Sequence, residues 1–290
     1  MLHKLKKGDQ VEIVAPSSFI ENKEEFLKGV EIIRGWGLKV NQNDVIRRKF
    51  GYFAGKDSIR LSEIKKSQDS NLIIFAKGGW GSARLLENNI KWKDTWILGF
   101  SDTCSLLLSK FSKGSKGSIH GPMISTLANE PPWSVERLKN LLFKGYIDDI
   151  KGNPLTKGWG VGEILVSNLT IFSYLIGTNH FPDLKGKIII FEDINEDIYK
   201  IDRIFTYLKL SNKLEGIVGM GFGNFFNGEM SKEKNYLLKN LILERFNNLN
   251  IPILCDLPIG HSSGNASIPF GFRAKLNGNN GTLSIDLNLN

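Results

Sequence analysis

The sequence predicts an α/β fold, with an N-terminal parallel-sheet α/β domain followed by a smaller mixed α/β C-terminal domain. Three observations carry this. Strand-like and helix-like patterns alternate from Val11 to Ser101, the order that builds a parallel sheet with covering helices. Runs such as Leu72-Ile73-Ile74-Phe75-Ala76 and Ile188-Ile189-Ile190-Phe191 are wholly apolar, as strands buried on both faces are. The alternation breaks at Asn129-Glu130-Pro131-Pro132-Trp133 and a polar, glycine-bearing stretch follows. That break divides the chain into residues 1–130, a linker over 131–165, and residues 166–290.

Taken in order, residues 11–15 read as the first strand, stopped by Pro16-Ser17-Ser18. Such a small polar strand end is a normal ligand-facing loop in α/β folds, and equally a plain strand stop. Residues 23–35 carry Phe26, Val30 and Ile33 on one helical face. Residues 38–40 form a short second strand, and Asp57 is placed to cap a helix bearing Ile59, Leu61 and Ile64. Strands follow at 72–76 and 96–100, then a helix opening at Asp102, a strand end near His120, and a helix over 134–143. The second half has its own units. Helices are expected at 167–176, 199–210 and 232–245, and strands at 187–191, 216–219, 253–255, 273–276 and 282–287.

The 290 residues carry a formal charge of +8, spread over many lysines. The densest clusters are Lys4, Lys6, Lys7 and Arg47, Arg48, Lys49. Neither is a long basic tract with interleaved aromatics, so a solvated surface is expected and nucleic-acid binding is not. Cys104 and Cys255 stand far apart and form neither metal-type spacing nor a disulfide framework. No metal or other cofactor is expected. The first ten residues are too polar for a signal peptide, and no apolar run approaches the ~20 residues of a membrane span. A cytoplasmic protein without membrane contact is the expectation.

Ser101 follows the apolar run Trp96-Ile97-Leu98-Gly99-Phe100 at once and stands before a helix. A nucleophile elbow presents its serine in this way, with positive partial charge at the helix end favouring an oxyanion. Gly99 permits the sharp turn, but the glycine usual two residues after the serine is here Thr103. The competing reading is a serine that merely caps the helix. One strand–helix unit earlier, Lys77-Gly78-Gly79-Trp80-Gly81 is neither a Rossmann fingerprint nor a P-loop. Its free N–H groups suit an anion or an oxyanion, or the loop is simply a tight turn.

A serine nucleophile needs a base, and there are four histidines. His3 lies in the basic terminus and His180 in an ordinary loop. His120 and His261 both follow apolar runs in glycine-bearing loops, and His261 has the better setting, shaped by Pro258, Gly260 and Gly264. The imidazole in turn wants a carboxylate on its other nitrogen. Glu192 directly follows an apolar strand and is preferred over its rivals Asp193 and Asp202.

These segments resemble the LD-carboxypeptidases, the serine peptidases of family S66, a group that includes the microcin C immunity peptidases. The resemblance is carried in family order by Ala15-Pro16-Ser17-Ser18, by Gly78-Gly79-Trp80-Gly81 with Arg84, and by Gly99-Phe100-Ser101-Asp102. It continues through His120-Gly121-Pro122, Asn168-Leu169-Thr170, Phe191-Glu192-Asp193, Tyr199-Lys200-Ile201-Asp202-Arg203 and Pro258-Ile259-Gly260-His261, with Asn265. Val166-Ser167 departs from the two glycines common in the family.

The resemblance implies a Ser101, Glu192, His261 triad in a site between the two domains. It implies oxyanion donors at the backbone of Gly79 and Asp102, and substrate contacts from Trp80 and Asn168. It further implies no metal, a homodimer, and a murein tetrapeptide substrate that loses its terminal D-alanine. Two alternatives stand beside it. One is a microcin-type peptidyl-nucleotide substrate, with Trp133 against the base. The other is a non-catalytic module that captures a small anion at the Gly78–Gly81 loop.

Overall fold

Five parallel strands frame the first half of the chain in this computed structural model, which describes residues 2–226, 231–287 and 289. They are β1 (Gln10–Val14), β2 (Lys39–Asn41), β3 (Leu72–Phe75), β4 (Trp96–Gly99) and β5 (Ser118–His120), in the spatial order β2-β1-β3-β4-β5. The crossovers between them carry helices α1 (Lys23–Gly35), α2 (Asp57–Lys66) and α3 (Cys104–Ser112). After β5 come α4 (Ile124–Leu127) and α5 (Pro132–Lys144).

Side chains alternate across each strand, so each face collects its own core. Ile13, Ile74, Leu98 and Ile119 pack with Phe26, Val30 and Ile33 of α1 and with Leu138, Leu141 and Leu142 of α5. Ile73, Phe75 and Ile97 pack in a second cluster with Ile64 of α2 and Leu106, Leu107 and Leu108 of α3. That cluster continues into the second half of the chain. Both faces are therefore covered, which accounts for the wholly apolar strands.

The second sheet is larger. In chain order its strands begin with β6 (Ile150–Lys151), β7 (Asn153–Thr156), β8 (Trp159–Asn168) and β9 (Lys187–Glu192). They continue with β10 (Gly219–Phe222) and β11 (Ile253–Cys255). A two-residue strand, β12 (Ile268–Pro269), crosses back and pairs antiparallel with β5 of the first sheet. The second sheet is then completed by β13 (Arg273–Asn277) and β14 (Thr282–Asp286). Its spatial order is β6-β14-β13-β8-β9-β10-β11-β7, with β8 to β11 mutually parallel. Helices α6 (Leu169–Leu175), α7 (Ile198–Leu210) and α8 (Lys232–Phe246) accompany it.

Three local expectations shift. The stretch read as a linker contains α5, β6, β7 and the start of β8. Its glycines suggested a loop, but Gly160 and Gly162 sit where a Cβ would fall 2.1 Å from the carbonyl oxygens of Val218 and Gly186. They are strand glycines that admit a neighbouring backbone. The strand expected at 216–219 lies instead at Gly219–Phe222, where a Cβ on Gly221 would stand 2.8 Å from Leu257. Asp57 opens α2 rather than capping it, and its carboxylate pairs with Arg60 at 2.5 Å and Arg84 at 2.7 Å.

Candidate active site

The carboxyl ends of β1, β3, β4 and β5 lie side by side, where open α/β sheets present their ligand-facing loops. The loop after β1 contributes Ser17 and Ser18, the loop after β3 the glycines Gly78 to Gly81, and the end of β4 contributes Ser101. Ser101 has φ of 60°. A non-glycine residue in the left-handed region is strained by about 1–3 kcal/mol and is held there by its surroundings. Gly99 makes the turn possible: a Cβ there would lie 2.4 Å from Thr103 Oγ1 and 2.5 Å from the Phe75 ring. The position where hydrolase elbows carry glycine is thus filled by a threonine that packs over Gly99 and donates to the Phe100 carbonyl at 2.7 Å. Neither the short 3-10 turn at Ser101–Thr103 nor α3 has a side-chain cap, so Ser101 does not serve as one.

The glycine loop approaches the serine closely. A Cβ on Gly78 would stand 3.0 Å from Ser101 Oγ, and one on Gly79 2.2 Å from Ser18 Oγ. The Asp102 side chain ties these loops together. It accepts from Ser17 Oγ at 2.5 Å and from the Ser82 N–H at 2.9 Å, while Ser82 Oγ donates to the Asp102 carbonyl at 2.7 Å. Burial raises the Asp102 pKa, against the pull of these donors. The buried Arg60 guanidinium fastens the same loops by donating to the carbonyls of Pro16 and Gly81. The sequence marked the loop of Ser17 as ligand-facing but not its tie to Asp102, and it gave no role to Ser82 or Arg60, because only the parallel register of β1, β3 and β4 brings them together.

Glu192 ends β9, in register with Asn168 at the end of β8. Its Oε2 lies 2.8 Å from His261 Nδ1. Gly260, at φ of 128°, lets the histidine loop pass close to the carboxylate; a Cβ there would fall 3.1 Å from Glu192 Oε2. The loop is clamped by Glu130, whose Oε2 accepts from the N–H groups of Gly264 and Asn265 at 2.9 Å each. Asn265 Oδ1 in turn accepts from the Gly260 N–H. The His261 ring packs edge-on against Phe100, with centroids 4.8 Å apart, so the imidazole reaches the residue next to Ser101.

Burial raises the carboxyl pKa of Glu192, but the imidazoles of His261 and His120 outweigh it and hold the group well below the ordinary range. Burial lowers the pKa of His261, but Glu192 and then Asp193 outweigh it and raise the imidazole above its ordinary 6.5.

The other expected residues take varied places. Trp80 is partly exposed and makes an edge contact with Tyr174 of α6 at 5.9 Å. Asn168 is buried; it caps α6 by accepting from the Ile171 N–H and donates to Asp193 Oδ1. Asp193 also accepts from the Thr170 N–H and hydroxyl and the Ile194 N–H, so it is spent on the start of α6. Asp202, on α7, pairs with Arg245 at 3.5 Å. Trp133 packs over Gly264 of the histidine loop. His180 exchanges a hydrogen bond with Ser109 at 2.8 Å.

Among the described residues, one trio of possible metal donors lies within 4.8 Å of one another: Cys104, His120 and Glu192. It is a poor donor set. Burial, with Glu192 adding to it, drives the Cys104 thiol pKa far up, and Glu192 is already paired with His261. No helix among the described residues is long and apolar enough to cross a membrane.

A family model for the LD-carboxypeptidase N-terminal domain matches residues 11–121, and one for the LD-carboxypeptidase C-terminal domain matches residues 161–276. The Synechocystis sp. protein slr1534, itself described only provisionally as a carboxypeptidase, is 35% identical over 97% of this chain and 95% of its own length. A murein tetrapeptide carboxypeptidase of Pseudomonas aeruginosa is 27% identical over 93% of this chain and 94% of its own. The solved structure of the microcin C7 self-immunity protein MccF, known from Escherichia coli, covers all of both chains with a TM-score of 0.85 at 21% identity. At that identity the likeness shows a shared fold.

Proposed function

Because the chain belongs to the LD-carboxypeptidase family and is a serine-type carboxypeptidase, we propose that it removes the terminal D-alanine from murein tetrapeptides through Ser101, His261 and Glu192. The observation that carries this reading is the 2.8 Å contact of Glu192 Oε2 with His261 Nδ1, with the His261 ring packed on Phe100, the residue before a serine at φ of 60°. Glu192 holds the imidazole with Nδ1 protonated, which leaves Nε2 as the base. Ser101 Oγ attacks the carbonyl of the residue before D-alanine, and its proton passes to Nε2. The N–H groups of Gly79 and Asp102 receive the oxyanion; neither is spent on another hydrogen bond among the described residues. Each such donor contributes ~3 kcal/mol to the transition state in comparable sites. The C–N bond then breaks, His261 returns the proton to the departing amine, and D-alanine leaves. Water attacks the acyl ester by the same route and restores the serine hydroxyl.

Trp80 is taken as part of the substrate wall. For Asn168 the reading is indirect, since both ends of its amide are occupied. The reading carries with it a cytoplasmic homodimer, as the family implies.

The test is D-alanine release from a murein tetrapeptide, followed by mass spectrometry. Ser101→Ala, Glu192→Gln and His261→Ala should each lower turnover by about 10³-fold or more while leaving the fold intact. An activated-serine probe should label the wild type at Ser101 and not Ser101→Ala. Cleavage of a peptidyl-nucleotide with no action on the tetrapeptide would reassign the substrate. Near-normal turnover in any of the three variants would remove that residue from the mechanism.

A further inference from the structure

Glu192 has two carboxylate oxygens, and the proposed triad accounts for one. Oε2 meets His261, while Oε1 is buried without a hydrogen-bond partner among the described residues. The group that faces Oε1 is His120, at 3.7 Å from its Nε2. His120 is itself wholly buried, and neither of its ring nitrogens has a hydrogen-bond partner among the described residues. A buried carboxylate oxygen and a buried imidazole that leave each other unsatisfied both lose free energy. Their separation exceeds a hydrogen bond by less than about 1 Å, a gap that small side-chain rotations close. The placement is built rather than incidental. His120 ends β5, pairs with Ile268 of β12, and lies edge-on to the same Phe100 ring that packs on His261.

We propose that His120 is a positioning residue for the reaction: it donates from Nε2–H to Glu192 Oε1 and so fixes the carboxylate with Oε2 turned to His261. The proposal rests on the Ser101–His261–Glu192 reading. It predicts an electrostatic consequence as well as a geometric one. A donor on Oε1 draws negative charge away from Oε2. Without it, Oε2 holds the His261 imidazolium more strongly, and the base keeps its proton to higher pH. The titratable and charged groups around this pair are few. Cys104 faces it from α3, with its thiol held protonated, and Asp102 is turned to Ser17 and Ser82. Asp193 is turned to the start of α6, and His261 arrives from the loop after β11.

The experiment compares the full chain with His120→Leu, His120→Gln and His261→Ala on a murein tetrapeptide, measuring kcat, KM and the pH profile. His120→Leu should lower kcat by about 10–100-fold, as loss of an outer hydrogen-bond partner does, with KM changed by less than about two-fold. The acidic limb of its kcat/KM profile should move to higher pH. His120→Gln keeps a donor near the Nε2 position and should recover most of the rate, with the limb restored. If His120→Leu does not fold, His120→Asn, whose amide falls short of Oε1, replaces it under the same expectations. Wild-type kcat and pH profile in the donor-less variant, with His261→Ala inactive, would overturn the role of His120 and leave the triad standing. Retained turnover in His261→Ala would instead strike the triad itself.

Discussion

At the scale of single residues, the site joins one strained backbone to one buried charge pair. Ser101 occupies the left-handed region without being glycine, and the cost is borne by the packing of Gly99, Thr103 and Gly78 around it. The charge pair makes a prediction about pH. Glu192 is depressed, so it stays ionised across the range where His261 titrates. His261 is raised above 6.5, and a protonated imidazole cannot accept the serine proton. The acidic limb of kcat/KM should therefore fall above pH 6.5. In Glu192→Gln the charge that raises His261 is gone and burial remains, so the limb of the residual activity should move below the wild-type position. A pH series on both proteins measures it, and an unmoved limb would mean that Glu192 does not govern the base.

At the scale of elements, glycines decide how closely strands and loops approach. Gly99 is the sharpest case, because a methyl group there would overlap both Thr103 Oγ1 and the Phe75 ring. Gly99→Ala should destabilise the protein by about 1–3 kcal/mol, the usual penalty of overpacking. It should also displace Ser101 and lower turnover by more than the loss of stability explains. Denaturant melts beside kinetics at a temperature where the variant is folded would check this, and wild-type values in both would refute it. The strand glycines 160, 162, 219 and 221 follow the same rule. Gly160, Gly162 and Gly221 misled the reading of the sequence, because a glycine that makes room for a neighbour looks locally like one that makes a turn.

At the scale of the molecule, strand ends of the two sheets meet: His120 at the end of β5 faces Glu192 at the end of β9, and the Asn168 N–H at the end of β8 donates to Cys104 Sγ. The first sheet carries Ser101 and the glycine loop; the second carries Glu192 and Asn168. A shared apolar cluster and the short β12 strand bind the two halves. Exposed Leu210, Tyr236 and Leu237 on α7 and α8 leave apolar surface outward in the single chain. The proposed homodimer predicts that light scattering returns twice the 32.6 kDa mass of the chain. A monomer at micromolar concentration would remove that part of the reading.

Much of this fold is legible in the sequence. The helix over Lys23–Gly35 and the strand over Ile253–Cys255 have the expected bounds, and the strands around Ser101 and Glu192 differ by single residues. Periodicity is a local property, and the sequence by itself determined the alternation of elements, their apolar faces and the family motifs. Contacts between distant segments are not local. The left-handed turn of Ser101 and the burial of Arg60 came only with the packed sheets. So did the internal ties of Asn168 and the facing of His120 onto Glu192. Glu192 and His261 are 69 residues apart, and no spacing rule encodes their meeting. The tertiary structure decided it, because Glu192 ends β9 and His261 follows β11, and the parallel pairing of both strands with β10 brings those ends to the same side of the sheet.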